Sequence, residues 1–180
     1  MAACHNMLFA GFGGQGILFA GKAVAYSGMM EGREVSWLPS YGPEMRGGTA
    51  NCSVCLSDEP IGSPLVLSPD CLVAMNNPSY DRFIDSVVPG GVAVIDSTLV
   101  DRACGRTDIT AVFLPATQTA KEHDLQGLAN IILLGALLEK TGFTTPENLE
   151  ACFRKIIPAK KADLIEKNME ALRLGMEFAG

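Results

Sequence analysis

Two short stretches hold the residues whose types and spacing could do chemistry. The first is GFGGQG, residues 11–16, which follows the apolar run NMLFA and sets Gly11, Gly13 and Gly16 in the G-x-G-x-x-G register. Gly11 and Gly13 allow positive φ and a close approach to the backbone, because no Cβ stands in the way, and Gly16 would let the helix pack tightly against the strand. The amides of Gly13, Gly14, Gln15 and Gly16 would then face outward at a helix start, where the macrodipole favours an anion. Phosphate binding is the chemistry this turn suits. A dinucleotide asks for more, namely an acid at the end of the second strand, about 20 residues on, to hold the ribose hydroxyls. Here Glu31 and Glu34 stand at the beginning of that strand, which ends Trp37-Leu38-Pro39-Ser40.

The second stretch is YGPEMRGGTAN, residues 41–51. It is too polar and too short to be core. Gly47 and Gly48 permit tight backbone contact, and Arg46 could fork onto a phosphate or a carboxylate. Glu44 is open to two readings, an acid or base in catalysis or the ion-pair partner of Arg46. A catalytic role needs a cleft and a shifted pKa.

Cys52 and Cys55 form a C-x-x-C, but TANCSVCLS reads as a strand, in which residues three apart face opposite ways. No second C-x-x-C completes a four-ligand site. The six cysteines therefore read as small buried hydrophobes, and no metal site is expected. His5 and His123 have no nucleophile or carboxylate partner in sequence and read as packing or solvated residues. Asn76, Asn77 and Asp96 stand at strand ends, where Asn76 could line a ligand site.

The elements that must position these residues alternate. Apolar runs at 5–10, 33–39, 49–57, 71–76, 91–96 and 109–115 read as strands, the second stopped by Pro39. Helical spacing runs from Gly14 to about Met30 and from Ser79 to Val88. It returns in LANIILLGALLEKTG, capped by Gly142, at Pro146, and from about Lys160 onward. This pattern predicts an α/β, Rossmann-like sheet, mostly parallel, with helices on both faces and a helical C-terminal part. The 180 residues make one domain, 1–180. An apolar fraction of 48% supplies a full core, and the net charge of −6 with no basic run argues against a nucleic-acid surface. No apolar run approaches the roughly 20 residues a bilayer requires. With no charged start or cleavage region of a signal peptide either, the chain reads as cytoplasmic.

GFGGQGILFAGK followed by PSYGPEMRGGTANCSV resembles the gamma subunit, or gamma-type domain, of the 2-oxoacid:ferredoxin (acceptor) oxidoreductases, a family that includes pyruvate, 2-oxoglutarate and branched-chain enzymes. The resemblance runs end to end. It implies a subunit without a redox centre of its own, inert alone, in a complex that oxidatively decarboxylates a 2-oxoacid to an acyl-CoA. Thiamine diphosphate and iron–sulfur clusters would belong to the alpha and beta subunits, with a delta subunit where the complex has one, and ferredoxin or a similar carrier would accept electrons. By resemblance Gly13, Gly14, Gln15 and Gly16 form one motif and Tyr41, Gly42, Pro43, Glu44, Arg46, Gly47 and Gly48 the other. The glycine loop and Arg46 would serve coenzyme A, while Tyr41 and Glu44 face a neighbouring subunit. Made alone, the chain could pair with itself as a homodimer. Two other classes stay open: a free-standing NAD or FAD enzyme, and a purely structural assembly module.

Overall fold

Met7, Leu8, Phe9 and Ala10 are all buried in succession, the mark of a strand covered on both sides. The computed structural model describes residues 4–40 and 49–180. Those four residues lie in β1 (Cys4–Phe12), which is followed by α1 (Ile17–Met30), β2 (Glu34–Ser40), β3 (Thr49–Ser57) and β4 (Cys71–Ala74). Next come α2 (Asn77–Phe83), a 3-10 turn at Ile84–Ser86, β5 (Val92–Asp96), β6 (Thr110–Leu114) and α3 (Ala116–Glu122). The chain closes with α4 (Ala129–Thr141), α5 (Pro146–Ile156), a 3-10 turn at Ala159–Lys161 and α6 (Asp163–Ala179).

The six strands form one sheet in the order β2-β3-β1-β4-β5-β6. β1, β4, β5 and β6 are mutually parallel, while β3 runs antiparallel to both of its neighbours, β1 and β2. β2 therefore points the same way as β1, and only β3 is reversed. The mostly parallel expectation is met, with an antiparallel hairpin at one edge.

The pleat sorts the core into two layers. Met7, Phe9, Val73 and Val94 face α1, α3 and α4, with α5 and α6 packed outside. Leu8, Leu72, Ala74 and Ile95 face Tyr80, Ile84 and Val87 of the α2 region. Helices thus lie on both faces. Pro39 does not stop β2 as the sequence reading had it: the strand runs on to Ser40, with Pro39 opposite Cys52. An edge strand tolerates this because one row of its amides has no ladder partner to lose. The helix expected from Ser79 to Val88 is shorter and begins two residues earlier, because Asn76 caps it by accepting a hydrogen bond from Ser79 N at 2.8 Å. Gly142 takes the left-handed conformation (φ 59°) that ends α4, as expected, and Thr145 caps α5 ahead of Pro146.

Candidate functional site

The glycine turn leaves β1 and enters α1, with Gly14 (φ 90°) and Gly16 (φ 75°) in the left-handed region. Gly11 lies inside the strand, and its missing side chain makes room for an internal group rather than a ligand. A Cβ there would stand 2.6 Å from Gln15 Oε1 and 2.9 Å from Ile17 Cδ1. Gln15 folds back over the turn: its Oε1 accepts from Phe12 N and from Asn76 Nδ2 (3.4 Å), and its Nε2 donates to the Met75 carbonyl at 3.1 Å. One amide side chain thereby ties the turn to the end of β4.

Three expectations, two for this loop and one for Asn76, need correction. The Gln15 amide does not face outward, since it donates to the Phe12 carbonyl at 3.2 Å and closes the turn. Gly16 does not press α1 onto a strand; a Cβ on it would meet Asn130 Nδ2 at 2.5 Å, so its contact is with α4. The glycines that let α1 lie close to the sheet are Gly21, facing Cys52 Sγ, and Gly28, facing Leu56. Asn76 is 3% exposed and works as a helix cap and a brace for Gln15, so it does not line the cavity.

Beyond the C-terminal ends of β1, β4, β5 and β6 lies a cavity of about 320 Å³, bordered by Gly14, Gln15, Met75, Leu99, Thr117 and Lys121. It sits where the chain turns left to β3 and right to β4, the place where open α/β sheets bind ligands. Among the described residues Lys121 is the one charged side chain on its lining. Among the described residues, too, neither α1 nor α4 has a side-chain cap at its N-terminus. Gly127 separates this cavity from a second one of about 370 Å³, which touches Gly16, Asn130, Lys161 and Asn168. Asn130 donates to the Gly16 carbonyl at 2.9 Å while its own Oδ1 is buried without a partner, as is Oδ1 of Asn168.

Of the second motif, Tyr41, Glu44, Arg46, Gly47 and Gly48 lie outside the described residues. Their anchors do not. Ser40 pairs with Asn51, and Thr49 pairs with Phe12 at the brink of the glycine turn. Both motifs are therefore tethered at one end of the sheet, on neighbouring strands. Cys52 faces α1 with its thiol pushed up to about 12 by burial, while Cys55 faces the other side, near the Ser63 carbonyl. The two thiols of the C-x-x-C point apart and cannot share an ion. Asp96 is sealed within the fold, accepting from Thr98 N and from the Thr117 amide and hydroxyl. Lys121 and Thr117 escaped sequence reasoning because they belong to a helix with no motif of its own; the only signal was their place just after the last strand.

Comparison with known proteins agrees with this architecture. The family model described as pyruvate ferredoxin/flavodoxin oxidoreductase matches residues 6–178. The ketoisovalerate oxidoreductase subunit VorA of Methanothermobacter thermautotrophicus is 42% identical over 94% of this chain, which spans 35% of that relative's length. The 2-oxoglutarate synthase subunit KorC of Methanocaldococcus jannaschii is 37% identical, with 94% of this chain and 90% of that one covered. Among solved structures, the gamma subunit of a keto/oxoacid ferredoxin oxidoreductase from Geobacter sulfurreducens superposes with a TM-score of 0.82 at 29% identity, covering 97% of this chain and 98% of the other. A 2-oxoglutarate:ferredoxin oxidoreductase from Magnetococcus marinus, solved with 2-oxoglutarate, coenzyme A and succinyl-CoA bound, gives 0.87 at 27% identity, over 98% of this chain and 31% of that one. No helix among the described residues is long and apolar enough to cross a membrane. On the strength of its fold, its glycine turn and these matches, the chain belongs to the pyruvate ferredoxin/flavodoxin oxidoreductase family.

Proposed function

We propose that this chain is the gamma-type component of a 2-oxoacid:ferredoxin oxidoreductase, working with alpha and beta subunits that carry thiamine diphosphate and iron–sulfur clusters. The complex converts a 2-oxoacid and coenzyme A to acyl-CoA and carbon dioxide and passes the electron pair to ferredoxin or a similar carrier. This chain's share is to hold coenzyme A and to dock its partners. The observation that carries the reading is the cavity beyond the strand ends, where Lys121 and Ala129, the first residue of α4, border the same space as Gly14 and Gln15 of the glycine turn. That is a setting for a phosphate. Arg46, outside the described residues, would by the family resemblance serve the same anion, and Tyr41 and Glu44 the adjacent subunit.

A free-standing NAD or FAD enzyme is the weaker reading. β2 ends at Leu38, Pro39 and Ser40 with no acid to take a ribose hydroxyl, and Gln15 already fills the space that Gly11 leaves.

The test is to assemble the complex with Lys121→Ala or Arg46→Ala and measure turnover against coenzyme A, using a panel that includes pyruvate, 2-oxoglutarate and branched-chain 2-oxoacids. A rise in the coenzyme A Michaelis constant with assembly intact supports the reading. Wild-type coenzyme A kinetics and wild-type assembly in both variants would sink it. The isolated chain is expected to be colourless and without turnover; a bound flavin would favour the alternative.

A further inference from the structure

At the end of the sheet away from the glycine turn, three side chains of unlike chemistry meet. One donor atom from each of His5, Asp70 and Cys71 (a ring nitrogen, a carboxylate oxygen and a sulfur) lies within 4.8 Å of the other two. Asp70 stitches β1 to β4 there. Its amide donates to the Asn6 carbonyl at 3.0 Å, and its Oδ2 accepts from Asn6 N at 2.8 Å. Its other oxygen, Oδ1, is buried, and among the described residues the neighbouring Cys71 thiol is the side chain that meets the Asp70 carboxylate there.

We propose that His5, Asp70 and Cys71 form a mononuclear site for a transition-metal ion of the zinc class, with the fourth position open to the cavity beside it. The donor set fits. An imidazole, a carboxylate and a thiol together suit zinc, whereas calcium and magnesium seek oxygen alone. The spacing fits as well. Bonds of about 2.0–2.3 Å to a tetrahedral ion put ligand atoms roughly 3.3–3.8 Å apart, so the observed triangle closes with side-chain shifts of about an ångström. Coordination would replace the proton of the buried Cys71 thiol, which leaves to solvent.

The adjoining cavity, about 330 Å³ and bordered by Cys4, Gly90 and Thr141 as well as the three ligands, offers an entry path and room for a water in the fourth position. The site was invisible in the sequence because His5 stands 65 residues before the Asp70-Cys71 pair and no metal-binding spacing connects them. Its place at the N-terminal ends of β1 and β4 makes it a clasp on the fold rather than a part of the coenzyme A site.

The full chain, purified from zinc-supplemented medium and dialysed, is expected to retain about one zinc per chain by elemental analysis. Cobalt(II) added to the metal-free chain is expected to give a thiolate-to-metal charge-transfer band. His5→Gln and Asp70→Asn, both at the rim of the site, should lose the zinc and weaken the cobalt band while keeping a native circular dichroism spectrum. Cys55→Ser, which faces elsewhere, should keep both. Zinc should also raise the melting temperature of the wild-type chain and not that of His5→Gln. The proposal is overturned by a wild-type chain that holds no zinc above a buffer control, by a cobalt complex without the charge-transfer band, or by zinc content unchanged in His5→Gln and Asp70→Asn. None of these readouts involves coenzyme A, so failure here is separable from failure of the proposed function.

Discussion

Gly175→Ala should unfold this protein more readily than any gain in helix propensity can offset, and the structure supplies the size of the effect. α4 is buried along its whole apolar length, with the sheet on one side and α6 on the other. The helices cross at a pair of glycines. A Cβ on Gly175 would lie 1.8 Å from the Ile132 carbonyl oxygen, and one on Gly135 would lie 2.0 Å from that of Leu172. Both obstacles are backbone, so neither can swing aside. Ordinary contact needs about 3.4 Å, so the helices must part by roughly 1.5 Å at the crossing. Overpacking of this kind costs about 1–3 kcal/mol. A gap of 0.5–1 Å around buried neighbours such as Ile132, Ala136 and Leu172 forfeits about a quarter to a half of their dispersion contacts. Against this, alanine gains about 1 kcal/mol of helix propensity over glycine. With the forfeited dispersion adding about 2 kcal/mol, the balance is a loss of about 2–4 kcal/mol. With a urea m-value of about 2 kcal/mol/M, the unfolding midpoint followed by circular dichroism should fall by about 1–2 M. A midpoint equal to or above wild type would show that the crossing has slack the geometry denies, and would refute the reasoning.

Lys121→Ala should raise the coenzyme A Michaelis constant of the assembled complex about five- to tenfold with little change in kcat, as expected for one lost charge-assisted phosphate contact worth about 1–1.5 kcal/mol; steady-state kinetics would check it. Gln15→Ala should cost about 1–2 kcal/mol in a urea melt, since it removes the acceptor of Phe12 N and the donor to the Met75 carbonyl, and a change under 0.5 kcal/mol would mean the brace is idle. Stability should decline at alkaline pH. Burial raises the Cys52 thiol from 9.0 to about 12, so the unfolded chain loses that proton first and the stabilisation, intact below pH 9, drains away as pH climbs toward 12. Urea midpoints measured across that range should fall for wild type and fall less steeply in Cys52→Ala, the buried Cys71 and Cys152 thiols, also raised, keeping the rest of the slope. Native-state alkylation should label exposed Cys4 while sparing buried Cys52, Cys71 and Cys152, with mass spectrometry of peptides as the readout.

Most of the frame was legible in the sequence because β1, β4 and β5 are short, mostly apolar runs and because α4 and α6 keep helical spacing over more than three turns. The hairpin was not. β3 has the same composition whether it runs parallel or antiparallel, and only pairing with both β1 and β2 decides its direction. The glycine motif was read correctly as a turn and incorrectly in its parts. Spacing cannot say whether the room beside a glycine is filled by a ligand or by the chain, and here Gln15 fills it at Gly11 and Asn130 at Gly16. Lys121 and the His5, Asp70 and Cys71 trio arise from contacts between distant segments, for which local pattern carries no signal.

Pro39 has a bearing on the life of the chain before it meets any partner. β2 is the sheet's outer rim on that side, and Trp37 and Leu38 are each more than a third exposed there. An open rim with apolar side chains is a template for runaway strand addition between copies. An imino acid one residue from the end of that rim strand withholds one amide from any would-be extra strand and shortens the row. Newly made subunits would then stay dispersed while they wait to assemble, and replacing Pro39 with a strand-forming residue such as Val would shorten that wait into precipitation.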